Sequence, residues 1–299
     1  MPTQPRESYH LDTIVVENPT GAPVLCLPGL FAGSWVFERL LPLIAERGYP
    51  ASAMSYRGHP PLPPMSSIGK QSVADFALDA SAAARMLDRP IVIGHSLGGL
   101  VALLLARHNL IRAAVLVSPA PPRGIAVLSP AILARMAHYL PALLFSRSFL
   151  PSSAHVDALV LNQVPEAERA AIRDRFVPDS GRAAREISLG VHRVPPHAMR
   201  TPALVVGSEH DRFIPPGVAR RVASKYGASF HVAKGHGHFL FSEPGWEIQA
   251  KVILDWIDAL PKVLHDPAAE VRVFPARENP APAARVSPIS IHRPAPERT

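Results

Sequence analysis

Ser96 lies in the turn Gly-His-Ser-Leu-Gly, between an apolar strand and a helix, and its hydroxyl is the best candidate nucleophile in the chain. Residues 90–93 are a short apolar run typical of a buried strand, and residues 97–107 carry strong helix formers without an internal proline. A serine on so tight a turn needs neighbours without a Cβ atom, which Gly94 and Gly98 supply. The pattern predicts that the serine hydroxyl is lifted clear of a sheet to attack a substrate.

A serine hydroxyl is a weak nucleophile at neutral pH, so it requires a base, and the base requires an acid that orients it. Candidate acids follow a second apolar strand, predicted at residues 203–206, in the loop Gly-Ser-Glu-His-Asp. We predict that Asp211 is the acid. Glu209, two residues earlier, is the alternative.

Candidate bases lie in the loop Gly-His-Gly-His-Phe at residues 235–239, after the last predicted strand. Both His238 and His236 are candidates, because residues two apart in an extended chain share a face. The same pair of histidines could bind a metal ion, but no cysteine cluster or carboxylate at ligand spacing accompanies it. We therefore predict no metal site.

The elbow, the acid loop and the histidine loop resemble, in type and order, those of the α/β-hydrolase superfamily, over residues 12–260. The resemblance implies an α/β-hydrolase fold: a mostly parallel central sheet flanked by helices, with a helical lid insertion. It also favours His238 as the base, because Gly-His followed by an apolar run and Glu-Pro is similar to the family's histidine loop.

A fourth segment, Leu-Pro-Gly-Leu-Phe at residues 27–31, is similar to the family's oxyanion loop. The family usually carries His-Gly where this chain carries Pro-Gly, but this difference keeps the backbone donor, since the chemistry uses the amide N–H of the next residue. The resemblance implies that the amides of Leu30 and Leu97 form the oxyanion hole. Phe31 is the alternative donor if the loop register is shifted.

These roles predict a serine hydrolase that cleaves a carboxylic ester through a Ser-His-Asp triad and an acyl-enzyme intermediate, without a cofactor. Acyl transfer, perhydrolysis, thioester hydrolysis and carbon–carbon bond hydrolysis would use the same residues and stay open as alternatives. A catalytically silent ligand-binding protein on this fold is a further alternative. Haloalkane and epoxide chemistry are disfavoured, because they would require a carboxylate in place of Ser96.

The composition fits a single α/β domain of 299 residues, of which 47% are hydrophobic. The net charge of +7 comes from arginines that alternate with acids, which predicts solvated helix faces and no nucleic-acid partner. The one cysteine, Cys26, excludes an internal disulfide. Neither a signal core nor an apolar run of membrane-spanning length is present, so we expect a cytoplasmic protein without stable membrane insertion. The oligomeric state stays open.

Three parts are predicted along the chain. Residues 1–120 and 197–262 form the hydrolase core, and residues 121–196 form a helical cap or lid whose apolar segments would line an acyl pocket. This pocket would favour a small or lipid-like ester with a hydrophobic acyl group. Residues 263–299 repeat proline and are predicted to be a flexible C-terminal tail.

Overall fold

A computed structural model describes residues 8–126 and 137–261, together with the backbone of residues 285–288. Part of the predicted lid and most of the predicted proline-rich tail lie outside these residues. The strands are β1 (Tyr9–Ile14), β2 (Val24–Leu27), β3 (Ala51–Tyr56), β4 (Ile91–His95), β5 (Ala113–Val117), β6 (Ser148–Phe149), β7 (Asp179–Ser180), β8 (Ala203–Ser208), β9 (Ser229–Ala233) and β10 (Arg285–Pro288).

Helices connect most of these strands. They are α1 (Leu40–Glu46), α2 (Val73–Met86), α3 (Leu97–Arg107), α4 (Leu140–Leu144), α5 (Ser153–Leu159), α6 (Glu166–Arg173), α7 (Gly181–Ser188), α8 (Pro216–Tyr226) and α9 (Trp246–Asp258). Short 3₁₀ turns lie at Ser34–Phe37, Ile68–Lys70, Ala137–Tyr139, Pro196–Ala198 and Leu240–Ser242. Within the described parts of the chain, no helix combines the length and the apolar character that crossing a bilayer requires.

The main sheet has eight strands in the order β10-β1-β3-β2-β4-β5-β8-β9. Only the β1–β3 pair is antiparallel among them, and every other neighbouring pair is parallel. This arrangement confirms the predicted mostly parallel sheet flanked by helices. Parallel strands are buried on both faces, which explains why β4 and β5 read as continuous apolar runs.

Two apolar layers cover the faces of the sheet, because alternate residues of a strand point to opposite sides. Leu25 and Val92 pack with α2, α3 and α8 on one face, whereas Cys26 and Ile93 pack with α1 and α9 on the other. Because β4, β5 and β8 are parallel neighbours, their carboxyl ends lie at one edge of the sheet, and the loops that follow them come together there.

An insertion separates β5 from β8 in the chain, and its described parts, residues 121–126 and 137–196, contain helices α4 to α7. It also contains a two-stranded antiparallel pair, β6 with β7, which the purely helical expectation missed. The hydrogen bonds of so short a pair require no alternating apolar pattern, and the sequence therefore carries no strand signal here.

Arg285–Pro288 lies within the segment predicted to be a flexible tail. These residues form β10, which runs parallel to β1 at the edge of the sheet. A proline is tolerated at the end of an edge strand because its missing N–H is not needed there. The proline-rich composition therefore gave no signal for β10, because the pairing of this strand depends on the backbone of β1.

Candidate active site

Ser96 occupies the sharp turn between β4 and α3, with φ of 53° and ψ of −115°. A non-glycine residue in this region is strained, and such strain is typical of functional turns. Two long-range hydrogen bonds hold the turn: the amide of Ser96 donates to the Val117 carbonyl over 3.0 Å, and the amide of Ala120 donates to the Ser96 carbonyl over 2.9 Å. The end of β5 thus fixes the position of the serine.

Gly98 shows why the turn requires glycine. A Cβ atom at this position would collide with the backbone carbonyls of Leu27 and Pro28, on the neighbouring strand and the loop that follows it. Helix α3 can approach the sheet only without that atom. Gly29, in the same loop, lies against the nucleophile, since a Cβ there would be 3.1 Å from the Cβ of Ser96.

Asp211 is buried in the loop after β8, and its carboxylate is fully paired. Its Oδ1 accepts hydrogen bonds from the amides of Phe213 at 2.9 Å and Ile214 at 2.7 Å. Its Oδ2 accepts from Nδ1–H of His238 at 2.8 Å. Because Nδ1 carries the proton, Nε2 of the imidazole is free to act as a base.

Glu209, the alternative acid, has a different role. Its side chain is 47% exposed, and its Oε2 accepts a hydrogen bond from the amide of Gly235 at 2.9 Å. Its nearest histidine is His210, with 3.8 Å between Oε2 and Nε2. The structure therefore places Asp211, and not Glu209, against a candidate base.

His236, the alternative base, pairs instead with Glu243, a carboxylate that is almost completely buried. Nδ1 of His236 is 3.2 Å from the Glu243 carboxylate, which also accepts hydrogen bonds from the amides of Gly237 at 2.7 Å and Phe239 at 3.2 Å. Glu243 thus binds the backbone on both sides of His238. In the sequence this glutamate is marked only by the Glu-Pro that follows the histidine loop.

Ser96 and His238 line the same cavity. Among the described residues, no hydrogen bond joins the Ser96 hydroxyl to the imidazole of His238. Such bonds between nucleophile and base are often long without substrate and tighten in its presence.

His95, next to the nucleophile, is a further member of the site. Its Nε2–H donates to the backbone carbonyl of His238 over 2.9 Å, which leaves Nδ1 unprotonated and without a hydrogen-bond partner among the described residues. Burial, assisted by the nearby His238, lowers the pKa of the His95 imidazole to about 3. His95 is therefore a neutral structural donor at ordinary pH.

The predicted oxyanion amides, those of Leu30 and Leu97, donate to no backbone or side-chain group among the described residues. The Leu97 amide opens α3, where the helix dipole favours negative charge. The amide of Phe31, the alternative donor, is engaged: it donates to Oδ2 of Asp179 over 2.7 Å. The amides of Leu30 and Leu97 are thus both free within the described part of the chain, and the loop before Leu30 contacts Ser96 through Gly29.

The cavity at Ser96 is lined mainly by apolar groups, and its described lining contains no Asp, Glu, Lys or Arg. The core contributes Leu30, Phe31, Phe213, Ile214 and Phe239, and the insertion contributes Tyr139, Phe149, Val156, Leu159 and Ile187. No cluster of three or more His, Cys, Asp or Glu side chains suited to a metal ion occurs in the described part of the chain. The arrangement suits acyl transfer in an apolar environment.

The sequence and the fold are both similar to those of known proteins. A model of the alpha/beta hydrolase family matches residues 24–250. No curated protein matches the sequence.

Solved structures of similar fold include a monoacylglycerol lipase from Paleococcus ferrophilus, which is 21% identical, with a TM-score of 0.65 over 83% of this chain and 98% of the lipase. A soluble variant of monoglyceride lipase from Saccharomyces cerevisiae, in complex with a substrate analog, is 15% identical, with a TM-score of 0.70 over 86% of this chain and 96% of its own. A thermophilic esterase from Thermogutta terrifontis is 18% identical, with a TM-score of 0.63 over 86% and 94%. Since the family model spans most of the sequence, this chain belongs to the alpha/beta hydrolase family.

Proposed function

We propose that the protein hydrolyses uncharged carboxylic esters, with Ser96 as nucleophile, His238 as base and Asp211 as its orienting acid. The observation that carries the proposal is the buried hydrogen bond between His238 and Asp211, next to a strained serine in an apolar cavity. A binding protein has no need of a serine, a histidine and an acid together, with the serine and the paired histidine at one cavity.

In the proposed reaction, Nε2 of His238 takes the hydroxyl proton as Oγ of Ser96 attacks the ester carbonyl. Negative charge develops on the carbonyl oxygen, and the free amides of Leu30 and Leu97 stabilise it. The tetrahedral intermediate collapses, and the alcohol leaves with the proton from His238. A water molecule, activated by the same imidazole, then hydrolyses the acyl-enzyme and regenerates Ser96.

The cavity supports an uncharged substrate with an apolar acyl group. A charged group would lose its hydration without finding a counter-ion in the described lining, whereas an aliphatic chain would gain about 0.8 kcal/mol for each buried CH₂. Residues of the insertion contribute to the same lining, which supports its predicted role as a lid over Ser96. The esterase and the two lipases of similar fold support ester hydrolysis by analogy.

The experiment that tests this proposal is hydrolysis of p-nitrophenyl esters from acetate to palmitate by the purified protein and its Ser96→Ala variant. We expect hydrolysis by the wild type, a preference for an apolar acyl chain, and loss of nearly all activity in the variant. A folded wild type that hydrolyses none of the esters, or a variant that retains full activity, would contradict the proposal.

A further inference from the structure

A buried ion pair joins the insertion to the loop that follows β3. Asp179 begins β7, and His59 lies in that loop; each side chain is only 1% exposed. Nε2–H of His59 donates to Oδ2 of Asp179 over 3.0 Å. Oδ1 of Asp179 accepts a second hydrogen bond from the amide of Ser180 at 2.6 Å. Neither residue lies in the elbow, the acid loop or the histidine loop.

The hydrogen-bond partners of His59 fix its protonation state. Nδ1 faces the backbone carbonyl of Arg57 at 3.0 Å, and Nε2 faces a carboxylate, so both ring nitrogens face acceptors and both must donate. Burial alone would lower the pKa of His59, but the charge and hydrogen bond of Asp179, together with backbone carbonyls, outweigh it and raise that pKa. The two acceptors and the raised pKa together favour the doubly protonated imidazole of His59 next to Asp179.

The same carboxylate binds the proposed oxyanion loop. The amide of Phe31 donates to Oδ2 of Asp179 over 2.7 Å, and the carbonyl of Phe31 accepts from the amide of Val177 at 3.0 Å. Both backbone polar groups of Phe31 are therefore held by residues 177–179 of the insertion. Phe31 directly follows Leu30, whose amide is the proposed oxyanion donor.

Phe31 also has a backbone conformation that must be imposed on it. Its φ is +69°, in the left-handed region that is unfavourable for a non-glycine residue. Residues 30 and 31 line the cavity, so a change in this turn would move the peptide next to the Leu30 donor. Hydrogen bonds at both ends of Phe31 compensate for that strain.

We propose that Asp179, which accepts a hydrogen bond from His59, is a positioning residue of the oxyanion hole, and that the insertion in this way sets the geometry of the Leu30 amide. The inference rests on the proposed function, because it assumes that Leu30 stabilises an oxyanion. A residue of the insertion that lines the acyl pocket would contact the substrate. Asp179 would instead act through Phe31 on the stability of the transition state.

The substitution Asp179→Asn tests the proposal directly. An amide has one acceptor oxygen, so it cannot accept from Ser180 on one side and from Phe31 and His59 on the other. We expect kcat for the best p-nitrophenyl ester to fall roughly 10- to 100-fold, with KM within about threefold of the wild type. A loss confined to the transition state has this signature.

A trifluoromethyl ketone with the same acyl chain supplies the second readout, because Ser96 would add to it and form a tetrahedral oxyanion. Its affinity should fall by the same factor as kcat/KM. His59→Gln is the second variant, since it keeps a neutral donor but removes the positive charge, and it should give a smaller loss in the same two quantities. Asp157→Asn is the matched control, because Asp157 is an insertion carboxylate that pairs with Arg173, whereas the Phe31 amide donates to Asp179.

Hydrogen exchange of the peptide that covers residues 29–33 separates this proposal from the proposed function, because it needs no activity. Faster exchange in Asp179→Asn than in Asp157→Asn supports the clamp on Phe31. Unchanged exchange in Asp179→Asn and His59→Gln overturns it, as do wild-type kcat and ketone affinity in both variants of an active enzyme. A wild type that is inactive toward all esters removes the proposed function, and exchange alone then decides whether Asp179 holds the loop.

Discussion

The side chain of His95 holds the backbone of His238: Nε2–H of one donates to the carbonyl of the other over 2.9 Å. The residue before the proposed nucleophile is thus tied to the proposed base. Since β4 is rigid and buried, this bond fixes the histidine loop relative to Ser96. The rings of the two histidines also lie against each other, with 4.8 Å between their centroids.

Replacing His95 with Phe should destabilise the fold and change its response to pH. The variant leaves the His238 carbonyl without its donor, which costs about 1–3 kcal/mol of unfolding free energy. In the wild type, burial lowers the pKa of His95 to about 3, below the 6.5 of an unperturbed histidine. At pH values between these two, His95 binds a proton in the unfolded chain but not in the folded chain.

The His95 contribution to stability is therefore complete above about pH 6.5 and is lost as the pH falls toward 3, with a slope on the order of 1 kcal/mol per pH unit. Urea unfolding of the wild type and of His95→Phe between pH 7 and pH 4 measures the difference. The variant should show the shallower dependence. Parallel curves would contradict this role of His95.

Asp211→Asn should abolish most turnover with little change in fold. The amide cannot accept from His238 and hold the same tautomer while it also accepts from Phe213 and Ile214. We expect kcat to fall on the order of 10³- to 10⁴-fold, as is usual for loss of the triad acid. Glu209→Gln serves as the control, and an equal loss there would reverse the assignment of the acid.

Glu243→Gln should weaken the histidine loop. Glu243 accepts from two backbone amides and faces His236, and a glutamine cannot satisfy all three contacts with one oxygen. The free energy of unfolding should fall by about 1–3 kcal/mol, with a parallel drop in kcat as His238 loses its support. Thermal unfolding checks this result. Glu247→Gln, at an exposed position of α9, should remain within about 0.5 kcal/mol of the wild type.

Two glycine substitutions should have effects of opposite sign. Gly98→Ala would push its Cβ into backbone carbonyls of Leu27 and Pro28, which cannot move without disturbing β2 and the oxyanion loop, so we expect a loss of at least ~3 kcal/mol. Gly217→Ala lies in α8 with no neighbour closer than 3.9 Å and should stabilise the helix by about 0.5–1 kcal/mol. Differential scanning calorimetry measures both changes. A stable, fully active Gly98→Ala would refute the close-packing argument.

Local sequence patterns predicted the elbow because it depends on neighbouring residues, whereas the fold class was implied by the resemblance of the elbow, the acid loop and the histidine loop to one family. The strand before Ser96, the turn glycines and the helix after it all lie within residues 90–107, so periodicity and backbone chemistry suffice. The mostly parallel sheet follows from strands that alternate with helices.

The sequence could not predict in the same way which carboxylate pairs with which histidine or backbone amide. Glu209 and Asp211 differ by two positions, and burial together with the loop after β9 decides which carboxylate reaches a histidine. The Phe31–Asp179 bond spans 148 positions, and no local pattern marks it. Asp179 belongs to none of the sequence motifs described above, and the only local feature of His59 is its position after a strand, in the run Arg-Gly-His. Strand β10 was missed because its pairing depends on the backbone edge of β1.

The proposed role of Ser96 is tested by labelling the purified protein with a fluorophosphonate and locating the adduct by peptide mass spectrometry. An activated serine next to a base reacts with this probe, whereas an ordinary serine does not. We predict a single adduct on Ser96 that is absent in Ser96→Ala and strongly reduced in His238→Ala. A folded wild type without an adduct on Ser96 would rule out Ser96 as the nucleophile, and equal labelling of Ser96 in His238→Ala would rule out His238 as its base.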